Sequence, residues 1–255
     1  MFDFFIIQGW LLIFARASSF VAIAPFFSIQ GVPALVKIGF SFTLAVILLP
    51  LVPFTPLDDI ALLAWWLLVL KEVAVGLTLG FITNMIFAAI RIAGELIDIQ
   101  MGFAMATVLD PQTQTRTTLM GQFKYLVAIL IFLAIDGHHV LIGSLVHSYT
   151  LVPLTNAVFD PAISLYILKT FVGIFALAFK IAAPIVAVLI IADISLGLVA
   201  RTVPQINVFI LGFPLKAGLG MLTLALVLPL FVTVVGHLLS QMEKDLITVM
   251  EILVQ

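Results

Sequence analysis

The sequence predicts an all-α integral membrane protein of about six long apolar helices, several kinked or broken, followed by a C-terminal amphipathic helix. Three observations predict it. Hydrophobic residues make up 64% of the 255 residues and charged residues only 9%, with a mean hydropathy of +1.32, whereas a soluble domain is about one quarter charged. The apolar residues are gathered into runs of roughly twenty or more, the length a helix needs to cross the hydrocarbon layer while satisfying its own backbone. Between these runs lie polar, Pro-rich connections, and no stretch has the makeup of a water-soluble domain.

The six apolar stretches are Phe4–Ala24, Ala34–Val52, Ile60–Ile90, Phe123–Ser148, Ile163–Ala192 and Val208–Leu238. The first has Asp3 where a signal peptide would carry basic residues, and no small-residue cleavage pattern follows it, so it is expected to be retained. Pro184, Gly212, Pro214 and Pro229 fall inside the later stretches and predict kinks or breaks. The connections are 28–33, 53–59, 106–118, 152–161 and 201–207. In the last stretch, Leu239–Val254, one helical face collects Leu239, Met242, Leu246, Val249, Met250 and Leu253, with Glu243, Lys244, Asp245 and Glu251 elsewhere. Such a helix either lies on a bilayer surface or packs on a partner. Lys37, Arg91, Arg116, Lys124 and Arg201 flank the first, third and fifth connections, while the second and fourth carry no Lys or Arg. The positive-inside rule then places the odd connections in the cytoplasm and both termini outside.

A net charge of −2 with no basic run excludes a nucleic-acid footprint, which needs clustered Lys and Arg. The absence of Cys removes disulfides, thiolate metal sites and cysteine catalysis. No GxSxG, Walker or GxGxxG motif occurs, so no enzymatic activity and no cofactor are expected. Asp136, Gly137, His138 and His139, with His147 further on, form the one run that resembles metal chemistry. Adjacent histidines are expected on different helix faces and no HExxH spacing is present, so a hydrogen-bonded helix end is the preferred reading and no metal is expected.

Ionisable groups inside apolar helices are costly and face protein, water or one another. Arg16, the neighbouring Lys71 and Glu72, Lys180, Asp193 and Lys216 all fall in or near expected spans and are candidate buried charges. A proton relay through Asp193 or Glu72 is one reading; mutual neutralisation and burial against partner subunits is the other, favoured because acidic and basic groups alternate. Gly76 and Gly80 form a GxxxG step suited to close helix packing, and Gly212, Gly218 and Gly220 are further candidates. The most unusual stretch is 94–121, where a Met- and Gly-containing run passes into a Thr/Gln-rich segment, with Asp110-Pro111 marking a turn or a helix start. It reads equally as a solvated cytoplasmic loop or as a loop folded into a protein-lined cavity, with Met101 and Met105 as adaptable apolar seals.

Several of these stretches together resemble the FliR family of the flagellar export gate, whose injectisome counterparts are called SctT. Residues 16–33 read RASSFVAIAPFFSIQGVP, followed by Lys37. The middle carries Gly94, Gln100, Met101, Gly102, Phe103, Asp110 and Pro111, and residues 201–220 read RTVPQINVFILGFPLKAGLG. The run from Asp136 to His139, with Ser148 and Pro153, also matches the family's central region. The Gly-Phe-Pro-Leu-Lys run favours the flagellar over the injectisome branch.

The resemblance implies a core subunit of the flagellar type III protein export gate. With FliP and FliQ it would form the channel through which unfolded flagellar subunits cross the bacterial inner membrane at the basal body, with FlhB and FlhA as further partners. It also implies a FliP-like part over 1–160 and a FliQ-like helical hairpin over 161–255. A channel plug would span about 106–121, with Met101, Phe103, Met105, Asp110, Pro111, Gln112, Thr113, Gln114, Thr115 and Arg116 as plug or gate residues. Arg201, Pro204, Gln205 and Asn207 would form a cytoplasmic hairpin turn in contact with partners. Family complexes sit partly lifted out of the bilayer, so apolar faces would be covered by partner subunits as well as by lipid. A secondary transporter is the rival class, against which stands the lack of an inverted repeat; an intramembrane hydrolase lacks a nucleophile or metal constellation.

Overall fold

The computed structural model describes residues 4–27, 32–54, 61–103, 118–205 and 207–254. Those residues form seven helices and no strand: α1 (Phe4–Ile23), α2 (Ala34–Leu48), α3 (Leu62–Met101), α4 (Leu119–Ala134), α5 (Gly137–Leu151), α6 (Pro161–Thr202) and α7 (Val208–Ile252). Four of them, α1, α3, α6 and α7, are long and apolar enough to cross a membrane, or five spans if the bent pair α4–α5 counts as one. The count differs from six because α2 has only 15 residues.

Several boundaries depart from the sequence expectation, among them the end of α6, which runs past Ala192 to Thr202. The expected span Phe123–Ser148 is broken at Ile135 and Asp136, where α4 and α5 meet at 73°. Asp136 takes a left-handed backbone (φ 58°), a conformation open to Asp. Helix α3 continues eleven residues past Ile90, because Ala93, Ile97 and Met101 extend a buried face at helical spacing. It stops at Gly102 (φ +88°), where the Gly102 N–H donates to the Ile99 carbonyl (3.2 Å) and the Phe103 N–H to the Asp98 carbonyl (3.0 Å), a Schellman closure that favours glycine. Helix α7 does not stop at Leu238; it runs through Pro214 and Pro229 to Ile252, as α6 runs through Pro184.

The chain divides into two compact units. The first comprises 1–86, 136–171 and 239–255, and the second 87–135 and 172–238. In the first, α1 packs on α2, with Trp10 edge-on to Phe42 at 5.1 Å. All six apolar residues expected on the C-terminal amphipathic face, Leu239, Met242, Leu246, Val249, Met250 and Leu253, are buried there. The Val158 N–H donates to the Leu253 carbonyl (2.7 Å) and the Tyr166 hydroxyl to Asp245 (2.9 Å). That face is therefore covered by its own chain, which corrects the expectation of a bilayer surface or a separate partner. In the second unit, Phe87 packs edge-on against Tyr125 and Phe132, and the Arg91 guanidinium lies 4.5 Å from the Tyr125 ring centroid.

Candidate functional site

Of the expected plug residues, Met101 and Phe103 are described; Met105, Asp110, Pro111, Gln112, Thr113, Gln114, Thr115 and Arg116 lie outside the described residues. What the structure gives is the frame on either side of 104–117, built wholly within the second unit. Helix α4 begins with N–H groups that have no partner inside the helix, and Thr118 makes no side-chain cap. Asp98, one turn before the end of α3, supplies the cap. Its carboxylate accepts the N–H groups of Met120 (3.0 Å) and Gly121 (3.3 Å). An anion at a helix N-terminus also meets the favourable end of the helix dipole. One turn earlier, Gly94 lies so close to the Gly121 backbone that a Cβ there would force something to shift. The exit from α3 and the entry to α4 are thus held side by side.

A second set of contacts joins the end of α3 to α6 and α7. Met101 is fully buried, and its side chain fills the space that a Cβ on Gly220 would need. The Phe103 ring meets Phe213 edge-on at 6.0 Å. Asp193 on α6 accepts a hydrogen bond from Gln100 Nε2 (2.8 Å) and pairs with Lys216 Nζ (2.9 Å), leaving their side chains 42% and 18% exposed respectively for Asp193 and Lys216. Asp193 is thus paired with a neighbouring cation, but neither it nor Lys216 is the fully buried charge expected of it within this chain.

The first unit holds a different polar cluster. Arg16 is fully buried; its Nε donates to Glu72 (2.7 Å) and its Nη1 to the carbonyls of Ser148 and Val152 (2.9 Å each). Those carbonyls lie at the C-terminal end of α5, where the helix dipole favours a cation; the Ser148 carbonyl also accepts the Val152 N–H (2.9 Å). The guanidinium also lies 4.5 Å from the Tyr149 ring centroid, and the Tyr149 hydroxyl donates to the Ile13 carbonyl. Glu72 accepts the Thr155 N–H (2.8 Å) while Lys71 donates to the Thr155 carbonyl (3.2 Å). Thr155 has φ 71°, a strained backbone for a β-branched residue that persists only where its surroundings hold it.

The remaining site expectations divide. Gly76 is pressed against the Arg16 carbonyl and Ser19, and Gly80 against the Phe20 carbonyl, as expected of GxxxG packing. Gly212 is buried near Leu196, whereas Gly218 faces open space and packs against nothing within this chain. Lys71 pairs with a carbonyl rather than with its neighbour Glu72, and Lys180 is exposed in this chain rather than buried. Arg201 lies in the last turn of α6 rather than in the expected turn, Pro204, Gln205 and Asn207 follow before α7, and all four are exposed. His138 and His139 do not diverge: their rings lie 4.1 Å apart, and their ligand atoms and that of Asp136 fall within 4.8 Å of one another. The left-handed turn at Asp136 sets them together, and the His139–Asp136 contact (3.3 Å) is largely exposed, so it contributes little. Asp98 and Lys124 are buried without belonging to any motif, and Lys124 reads in the sequence only as a basic residue at the end of a span.

Residues 7–242 match the family model described as bacterial export proteins, family 1. The chain is 40% identical over 238 residues to the flagellar biosynthetic protein FliR of Bacillus subtilis (strain 168), covering 91% of this chain and 90% of that one. It is 34% identical to the protein of the same name from Pectobacterium carotovorum subsp. carotovorum, covering 89% and 87%. With that of Escherichia coli (strain K12) the identity is 31%, covering 89% and 86%.

Proposed function

Because the chain belongs to the bacterial export proteins, family 1, we propose that it is a core, non-enzymatic subunit of the flagellar type III export gate. In this reading it joins FliP and FliQ in the inner membrane at the flagellar basal body, and together they form the channel for unfolded flagellar subunits. FlhA and FlhB are further partners. The FliP-like part is 1–160 and the FliQ-like hairpin 161–255. The observation that carries the reading is the family match over 7–242, with relatives named flagellar biosynthetic protein FliR aligned along most of both chains.

The helices supply a physical reason for partners. At 1.5 Å per residue, α6 and α7 are roughly 63 and 68 Å long, about twice the hydrocarbon thickness. Both are apolar over most of their length, α7 as far as its amphipathic end from Leu239, yet only 33% and 17% of their most apolar stretches are buried in this chain. Exposed residues such as Leu165, Phe179, Ile191, Leu222 and Leu226 exceed what one bilayer covers, and neighbouring subunits are the remaining apolar cover.

Segment 106–121 acts in this proposal as the channel plug, between an α3 end and an α4 start that Asp98, Gly94 and Gly121 hold together, with Met101 and Phe103 as apolar seals. A passing chain displaces the polar middle and leaves the frame in place, and energy enters from elsewhere in the apparatus. Co-expression with FliP and FliQ, followed by affinity purification of this chain, is expected to yield one heteromeric complex; elution as a lone functional monomer overturns the assignment. Deleting Pro111–Thr115 is expected to raise ion conductance of the assembled complex in planar bilayers, and an unchanged conductance overturns the plug.

A further inference from the structure

We propose that a pocket formed by α4, α6 and α7 holds one anionic membrane phospholipid, its phosphate against Lys124 and Lys180 and an acyl chain along the aliphatic wall. The pocket has a volume of about 230 Å³ and lies within the second unit. Its two lysines are joined by an otherwise apolar lining that includes Pro184, Leu228, Phe231 and Val234, with no acidic residue. Lys124 is only 3% exposed and its Nζ lies 5.4 Å from the Phe231 ring centroid. Among the described residues neither lysine has an ion pair or a hydrogen bond.

A cation enclosed by apolar side chains needs a counter-charge, and a ring face contributes only about 0.5–2 kcal/mol. Among the described residues Asp193 is occupied by Lys216 and Gln100 and Asp98 by the N–H groups of Met120 and Gly121, and no carboxylate lines the pocket; in this proposal the anion comes from outside the chain. Its chemistry is set by the walls. A free inorganic anion would leave the aliphatic lining against water, whereas a phospholipid meets both parts, charge to charge and chain to wall. Height also fits. Lys124 is the sixth residue of α4, roughly 8 Å of rise from its start, within the reach over which a lysine extends towards headgroups. The basic residues that flank this end of α4 place it on the cytoplasmic side, where membrane lipids are anionic. The proposal is independent of the export reading.

The test uses the full chain purified in neutral detergent and loaded with dioleoylphosphatidylglycerol or dioleoylphosphatidylcholine, with retained lipid counted by native mass spectrometry. The expected result is about tenfold greater retention of phosphatidylglycerol, falling to near parity in Lys124→Gln/Lys180→Gln. Leu228→Trp, which fills the pocket and leaves both lysines, is expected to abolish retention of either lipid. Should Lys124→Gln fail to fold, the exposed Lys180→Gln and the Leu228→Trp variants still decide the matter. Equal retention of the two lipids by the native chain overturns the proposal, as does displacement by inorganic phosphate alone. So does a carbodiimide cross-link from Lys124 to an acidic residue of a co-purified subunit, which would identify a protein carboxylate as the occupant.

Discussion

In the first unit Arg16 and Glu72 are both fully buried and every bond they make reaches across the fold, to Ser148, Val152 and Thr155. In the second, Asp193 and Lys216 meet at 2.9 Å and are only part-buried within this chain, beside the segment proposed to move. The difference lies in what each pair has given up. A pair stripped of water is held by geometry, and loss of one member strands the other, whereas a half-exposed pair can separate and be solvated. The first cluster is therefore built to stay closed, and the second is able to open.

The sharpest way to break this comparison is Glu72→Ala, which leaves the Arg16 guanidinium buried without its counter-ion. The expected loss is about 3–5 kcal/mol, read as a fall in the thermal unfolding midpoint of the purified chain in detergent. Arg16→Met/Glu72→Met, which removes both charges, is expected to recover part of it. A loss below about 1 kcal/mol for Glu72→Ala would place this pair in the same class as Asp193 and Lys216, and the contrast would fail. Asp98→Ala comes next. It leaves the Met120 and Gly121 N–H groups without their acceptor, at about 1–3 kcal/mol, and it loosens the frame of 104–117. Raised ion conductance of the assembled complex is expected to accompany the stability loss; stability loss with unchanged conductance would confine Asp98 to holding α4.

A glycine pair sharpens the same contrast at smaller scale. Gly76→Ala drives a methyl group into the Arg16 carbonyl, at about 1–3 kcal/mol of overpacking. Gly218→Ala meets nothing within this chain and is expected to stabilise it by about 0.5–1 kcal/mol through helix propensity. Equal effects at the two positions, measured by the same unfolding midpoint, would show that close approach at Gly76 is not what keeps it a glycine.

Much of this was legible in the sequence, for physical reasons that also explain what was not. Apolar periodicity is local, so the helices and the buried face running from Leu239 to Leu253 could be read from spacing alone. The GxxxG step at Gly76 and Gly80 is local too. The caps are not. Arg16 reaches Val152 across 136 positions and Asp98 reaches Met120 across 22, and neither spacing leaves a pattern in either segment. The break at Asp136 is legible only in part: the polar run from Asp136 to His139 reads as a helix end, but the stretch 123–148 around it also reads as one span, and the left-handed backbone of Asp136 leaves no pattern of its own. Lys124 read as a flanking charge because sequence gives the sign of a residue but not the Phe231 ring beside it. Resemblance, rather than periodicity, pointed to 106–121, and the described residues define its frame.

The smallest stability effect belongs to Asp193→Asn, and it carries the most mechanistic weight. Asparagine keeps an oxygen for Gln100 Nε2 while it removes the charge facing Lys216, so the expected loss is below about 1 kcal/mol. If Asp193 only fastens α3 to α6 and α7, the assembled complex keeps flagellar export near the native rate, and Lys216→Gln behaves alike because either change removes the same pair. If Asp193 instead carries a proton during export, Asp193→Asn stops export in a fully assembled complex while Lys216→Gln, which leaves the carboxylate in place, does not. Measuring secretion and complex assembly for both variants separates the two cases. The Asp193 carboxylate already has two donors, as a fastened group does, and equal behaviour of the two variants is therefore the expected result.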